Sequence, residues 1–227
     1  MLMIAVMALV GCGKKEPLKS QAKKKLEETT KKDGTEKSEP PKVVSKKLIA
    51  DPTVEKAVRK ELKKPEGKLT KADLEKVTDL NFYLTKITDA GLRDVAKLTE
   101  LTKLELESTQ ITDAGLKEVA KLTQLERLNL FKTKITDAGL KEITKLARLS
   151  SLDLGRTKIT DASLKEVARM KHLTLLNLNG TKITDVGLAE VAKLERLETL
   201  WVDQITDAGL KEVAKLQQLS NLQLAAA

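Results

Sequence analysis

From Leu74 onward one pattern of apolar and polar positions recurs along the chain, LxxLxxLxLxxTxITDAGLKEVAK. Six units begin at Leu74, Leu98, Leu122, Leu146, Met170 and Leu194, and a partial seventh begins at Leu216. The hexapeptide ITDAGL marks the register at Ile87, Ile111, Ile135 and Ile205, with ITDASL at Ile159 and ITDVGL at Ile183. The spacing is therefore 24 residues four times and then 22. Within each unit the period changes. In Leu104-Glu105-Leu106 the apolar residues alternate with a polar one, which predicts a short strand with both leucines on one face. Thr112-Asp113 then predicts a helix start. Leu116, Val119 and Ala120 fall on one side of that helix. Its opposite side carries Glu118 and Lys121, and the other units repeat the pair as Asp94/Lys97, Glu142/Lys145, Glu166/Arg169, Glu190/Lys193 and Glu212/Lys215. Each reads as an exposed i, i+3 ion pair. One unit alone cannot bury its leucines; stacking on its neighbours does so.

The repeat needs a lid at its first unit. Asp51-Pro52 reads as an N-cap and first helical residue. Val54, Ala57, Val58 and Leu62 then line one face until Pro65-Glu66-Gly67 turns the chain. Residues 51–73 are thus expected to form a helical cap on a repeat domain spanning 74–227. At the far end Leu222-Gln223-Leu224 is strand-like, and its open edge is a candidate self-association site. The expected state is otherwise a monomer.

The segment LxxLxLxxTxI resembles the leucine-rich-repeat signature, with Thr standing where Asn or Cys is usual. The ITDxGL half resembles the ribonuclease-inhibitor-like and cysteine-containing repeats, the latter familiar from F-box substrate adaptors. The resemblance covers residues 74–224. It implies an α/β fold: a right-handed solenoid with a parallel sheet on the concave side and helices on the convex side. A ubiquitin-ligase role would be analogy of fold alone. Val54–Phe82 also resembles the opening segment of many bacterial leucine-rich-repeat proteins.

The start of the chain reads as an address. Met1 to Val10 is apolar throughout, too short to span a bilayer but the length of a signal-peptide hydrophobic region. It ends in Leu9-Val10-Gly11-Cys12, which resembles the bacterial lipobox, although no Lys or Arg precedes the run. The resemblance implies cleavage after residue 11, lipidation of Cys12 and an extracytoplasmic, membrane-anchored protein. More than one acyl chain on one residue gives stable anchoring. Residues 12–50 then form a lipidated tether, expected to be disordered because too little apolar surface offsets its ordering entropy. Its flexible span is roughly 35 Å.

Composition sharpens this picture. The net charge of +9 would suit a nucleic-acid binder, but residues 13–47 hold twelve Lys against six acidic residues, which leaves only +3 over the remaining 180. The basicity belongs to the tether, where it suits anionic head groups or a solvated spacer, and no nucleic-acid partner is expected. Aromatics make up only 2% of the chain, so the core must be aliphatic. Cys12 is the sole cysteine and His172 the sole histidine. No convergent set of unlike catalytic groups can be assembled, and no phosphate loop, zinc spacing or nucleophile elbow occurs. We therefore expect no enzyme, cofactor or metal. The row Asp89, Asp113, Asp137, Asp161, Asp185 and Asp207 suggests calcium ligands at first sight. Each opens a helix, however, and helix capping is the expected role. The small residue two places later (Gly115 in its unit) is expected to permit close stacking.

The repeat also separates scaffold from variable positions. The column between the strand leucines reads Asn81, Glu105, Asn129, Asp153, Asn177, Trp201 and Gln223. The next outward column reads Tyr83, Glu107, Phe131, Gly155, Asn179 and Asp203. Three of the four aromatics (Tyr83, Phe131 and Trp201) thus point away from the core, and only Phe82 replaces a core leucine. Recognition surfaces favour aromatic anchors. The candidate partner-binding residues are Tyr83, Glu105, Glu107, Asn129, Phe131, Asp153, Asn177, Asn179, Trp201 and Asp203. The expected function is recognition of a protein in the cell envelope. An envelope polysaccharide is the alternative, since Asn, Asp, Gln and aromatics also suit sugars, and a passive structural component is the third reading.

Overall fold

In the computed structural model, residues 47–225 are described; the signal segment, Cys12 and most of the expected tether lie outside them. Two helices, α1 (Pro52–Glu61) and α2 (Lys71–Leu74), lead into a regular alternation of strand and helix. The strands are β1 (Asp79–Asn81), β2 (Lys103–Glu105), β3 (Arg127–Asn129), β4 (Ser151–Asp153), β5 (Leu175–Asn177), β6 (Thr199–Asp203) and β7 (Asn221–Ala225). Between them lie the seven-residue helices α3 (Asp89–Val95), α4 (Asp113–Val119), α5 (Asp137–Ile143), α6 (Asp161–Val167), α7 (Asp185–Val191) and α8 (Asp207–Val213). The strands form one parallel sheet in chain order. Its register sets Leu80, Leu104, Leu128, Leu152, Leu176, Leu200 and Leu222 side by side.

The expected two-period reading holds residue by residue. Leu104 and Leu106 are both fully buried while Glu105 between them is half-exposed, and Leu116 and Val119 close the unit from the helix side. Phe82 is fully buried in the row held elsewhere by leucines and by Val202. The Thr that stands in place of Asn or Cys closes each turn on itself: Thr109, Thr133, Thr157 and Thr181 each donate Oγ–H to the leucine carbonyl three residues back, at 2.6 Å. A hydroxyl so used satisfies an acceptor that would otherwise be buried unpaired.

The aspartate row serves a purpose other than the expected one. From α4 to α8 the N-cap is Thr, whose hydroxyl accepts from the amide two residues on, as Thr112 does from Ala114 at 3.3 Å. The Asp beside it turns to the next unit instead. Asp89 accepts from the amide and hydroxyl of Thr112 at 2.9 and 2.6 Å. Asp113, Asp137, Asp161 and Asp185 do the same to Thr136, Thr160, Thr184 and Thr206. Each carboxylate is a staple between consecutive helices. Among the described residues no group of three or more His, Cys, Asp or Glu is placed to hold a metal ion.

The lid also begins earlier than expected. Asp51 caps α1 through the Thr53 and Val54 amides at 2.8 and 3.0 Å, and Val54 and Val58 are fully buried. Ile49 is buried as well, so residues 48–50, assigned by sequence to the disordered tether, are part of the folded unit. Asp94 explains why. Its Oδ2 accepts from the Ala50 and Asp51 amides at 2.6 and 2.7 Å, and its Oδ1 accepts from Lys97 at 2.5 Å. Asp94 is thus buried and ties the lid to the first helix of the repeat; it is not the free surface pair its position suggested. The pairs Glu118–Lys121, Glu166–Arg169, Glu190–Lys193 and Glu212–Lys215 do form. Glu142 and Lys145 do not come within 4 Å among the described residues, so the pairing is not universal.

Candidate functional site

One face of the sheet packs on the helices and the other is open. Register brings the expected columns together on the open face, where Asn81, Glu105, Asn129, Asp153, Asn177, Trp201 and Gln223 stand in one row. A further row lies one step earlier along the strands: Asp79, Lys103, Arg127, Ser151, Leu175 and Thr199. Sequence reasoning passed over it, although strand alternation places it on the same side.

The polar row turns out to shape the backbone first. Asn81, Asn129 and Asn177 each accept from the amide two residues on through Oδ1, at 2.8 to 2.9 Å. Asp153 does the same for Gly155 at 2.9 Å. This is the side-chain turn that Asn and Asp favour. It delivers the chain to a left-handed residue: Leu84, Lys132, Arg156 and Gly180, with φ between 53° and 68°. Ser108 and Gln204 take the same conformation in their units without such a bond, following Glu105 and Trp201.

Two candidate residues are consequently committed elsewhere. Asn177 is buried, and its Nδ2 donates to Asp153 Oδ1 at 2.9 Å. Asp203 repairs the short sixth unit. In earlier units the left-handed residue donates its amide to a carbonyl of the next strand turn, as Arg156 does to Asn179 at 2.7 Å. In the fifth unit Gly180 donates to Asp203 Oδ2 at 2.8 Å, so a carboxylate replaces the backbone acceptor. Burial pushes the Asp153 carboxyl above the ordinary range. The Asn177 amide and Gly155 N–H pull it back, and the charge of Glu107 adds to the rise.

The aromatic residues differ from one another. Tyr83 is 50% exposed and stands beside Leu84, itself 64% exposed. Sequence reasoning missed Leu84; its only signal was an apolar residue at a turn position filled elsewhere by Ser, Lys, Arg, Gly or Gln. Phe131 is half-buried, because Gly155 in the next unit leaves room for its ring. A Cβ on Gly155 would come 2.7 Å from Phe131 Cδ2. The Arg156 guanidinium stands 5.6 Å from the ring centroid, a cation–π contact. Trp201 is also half-buried, and among the described residues its Nε1 has no hydrogen-bond partner. Glu105, Glu107, Asn129 and Asn179 stay half-exposed between these rings, and Asn129 Nδ2 reaches Glu107 Oε2 at 3.4 Å.

With this geometry established, the relatives can be placed. A family model described as Leucine Rich repeat matches residues 97–120, 121–143 and 169–192. The chain folds as a leucine-rich-repeat protein. Internalin C2 of Listeria monocytogenes is similar in structure, with a TM-score of 0.59 and 26% identity over 79% of this chain and 88% of that one. A second internalin of Listeria monocytogenes, inlF, gives 0.59 and 25% over 78% of this chain and 56% of its own. A leucine-rich-repeat protein of Leptospira interrogans gives 0.53 and 27% over 66% of this chain and 38% of its own. This chain therefore spans most of the first relative but only about half, or less, of the other two. No curated protein sequence matches the chain.

Proposed function

We propose that the open face of the sheet is a non-catalytic recognition surface for a protein partner, on a chain held to a bacterial membrane by lipid on Cys12. One observation carries the reading: Tyr83, Phe131 and Trp201 sit on a sheet face where most neighbouring side chains keep solvent contact. Leucine-rich-repeat solenoids use such extended faces for binding, and rigid aromatics are the usual anchors. With strands about 4.8 Å apart, Tyr83 and Phe131 lie about 10 Å from each other and Trp201 about 14 Å further along. A ligand that spans all three is a folded protein or an extended polymer. The tether reading rests on the lipobox-like Leu9-Val10-Gly11-Cys12 and the Lys-rich segment after it. A monomer is the proposed state.

The test is capture of a discrete protein from detergent-solubilised envelope by the full lipidated chain. Tyr83→Ala and Trp201→Ala should each weaken capture about thirtyfold, the effect of losing a 2 kcal/mol anchor. Lys117→Ala with Lys141→Ala, on the helical side, should leave it unchanged. Retention of the wild type on isolated wall polysaccharide, with no protein captured, would move the assignment to a polymer ligand. Intact mass of the mature protein decides the anchor: an unmodified Cys12 would overturn it.

A further inference from the structure

The edge where the chain enters the sheet carries a second cluster, separate from the open face. Units four, five and six place Arg148, His172 and Arg196 at the same repeat position, two residues after Leu146, Met170 and Leu194. The two units before them have Glu100 and Gln124 there. Because β4, β5 and β6 pair in register, the three side chains stack at strand spacing, about 4.8 Å per step. With Ser150 and Thr174 they line a depression of about 390 Å³. Arg196 Nη1 lies 3.3 Å from His172 Nδ1. A guanidinium has only donors, so in this contact Nδ1 is the acceptor. Neither Arg148 nor Arg196 comes within 4 Å of a carboxylate among the described residues, although surface cations elsewhere on the chain do. Lys171 adds a neighbouring positive charge, with Nζ donating to the Lys193 carbonyl at 2.9 Å.

We infer that the Arg148–His172–Arg196 ladder binds a phosphate group. A planar carboxylate is satisfied by one arginine fork. Two guanidinium groups ahead of strands two apart, lining one depression with the imidazole of the unit between them, match an anion that offers oxygens in several directions. The Ser150 and Thr174 hydroxyls now make long bonds of 3.2 Å to the Glu126 and Ser150 carbonyls. They can exchange these for shorter, charge-assisted bonds to a phosphate oxygen. Glu126 is the one acidic side chain lining the depression, and its exposed carboxylate opposes the anion. The phosphate is either free in solution or carried on a headgroup, and the chemistry of recognition is the same.

The full chain has a single histidine, so the ring resonances of His172 report on this site without overlap. Inorganic phosphate, titrated at fixed pH against sodium chloride of equal ionic strength, should shift both ring nitrogens saturably. Arg148→Gln with Arg196→Gln should raise the half-saturating concentration about tenfold or more, the loss of one to two charge-assisted bonds. Both arginines are exposed, and unchanged circular dichroism will show that the variant folds. Glu126→Gln should tighten binding severalfold. Vesicles of phosphatidylcholine with and without phosphatidic acid distinguish the sources. Retention that needs both phosphatidic acid and the two arginines assigns a lipid-borne phosphate; a shift with free phosphate alone assigns a soluble one. The inference is overturned if neither probe moves His172, or if the arginine variant responds as the wild type does.

Discussion

Asp113 and Thr136 are the smallest unit of cohesion between repeats. They are 23 residues apart, yet Asp113 Oδ1 accepts the Thr136 amide at 2.8 Å and its Oδ2 accepts the Thr136 hydroxyl at 2.6 Å. The same hydroxyl accepts from the Ala138 amide at 3.3 Å. One carboxylate thus orients the N-cap of the next helix, and the arrangement passes from unit to unit. In a fold whose stability is a sum over neighbour interfaces, such a contact acts on two repeats together.

Asp113→Ala should therefore lower unfolding stability by about 1.5–3 kcal/mol, the range for hydrogen bonds to a charged group. Asp207→Ala provides the internal control. It occupies the same repeat position, but among the described residues no Thr follows to receive it, and it is exposed. Its loss should change stability by no more than about 0.5 kcal/mol. Equal urea midpoints for the two variants would show that the carboxylates act on their own helices only.

Gly139 is small for the same reason. A Cβ there would come 2.8 Å from Asp113 Cγ and 2.9 Å from Asp113 Cα, and the second of these is backbone that cannot rotate away. Gly139→Ala should cost about 1–3 kcal/mol, the usual penalty of overpacking, despite the better helix propensity of Ala. Ser163, which holds this place in the fourth unit, stays buried and donates to the Thr160 carbonyl at 2.9 Å. That interface has accommodated a side chain, so Ser163→Ala should cost less than Gly139→Ala. Thermal unfolding of both variants checks the order.

How far the sequence was legible follows from these contacts. Leu104, Glu105 and Leu106 could be assigned to faces because alternation is a local property, and Gly139 could be marked as a stacking position because five of the six units have glycine there and the other has serine. The partner of Asp113 could not be found that way. A helix-opening aspartate has a sufficient local explanation, and nothing in one unit shows that the Thr ahead of the next helix lies closer than its own amides. The structural roles of Asn177 and Asp203 were hidden for the same reason. An outward-facing polar residue looks free until the turn it closes, or the two-residue deletion it repairs, is seen in space.

The deletion should also set the order of unfolding. At the sixth unit Asp203 substitutes for a backbone acceptor, Ile205 is only half-buried where its counterparts from Ile87 to Ile183 are buried, and among the described residues Asp207 makes no staple. Few buried contacts mean low local stability. Amides of α8 and β7 should exchange with deuterium by local opening, well before those of α4 and α5. Asp203→Ala should accelerate exchange at Gly180 about tenfold, which equals about 1.4 kcal/mol of local stability, near the lower end of what a bond to a charged acceptor contributes. The global melting midpoint should move little. Uniform protection from α4 to β7 would refute a weak C-terminal end.

Two aspartates should pull pH-dependent stability in opposite directions. Hydrogen bonds from the Thr206 hydroxyl and amide hold the Asp185 carboxyl below its ordinary range. Its contribution is therefore full above the unfolded value, about 3.9, and is lost as pH falls through the folded one. Asp153 has the reverse sign, because burial raises its folded value. Its ionised form costs stability at neutral pH, and that cost disappears as pH falls toward the unfolded value. Asn already serves at this position in three units, where it accepts the same turn amide. Asp153→Asn should thus keep the turn, remove the buried charge and its repulsion with Glu107, and raise the melting midpoint at pH 7. The gain should shrink as pH approaches 4. Asp185→Asn should lower the midpoint at pH 7, and that loss should shrink on further acidification. Melting curves of both variants from pH 7 to pH 3 give the comparison. A stabilising Asp185→Asn, or an Asp153→Asn whose benefit grows in acid, would reverse the assigned causes.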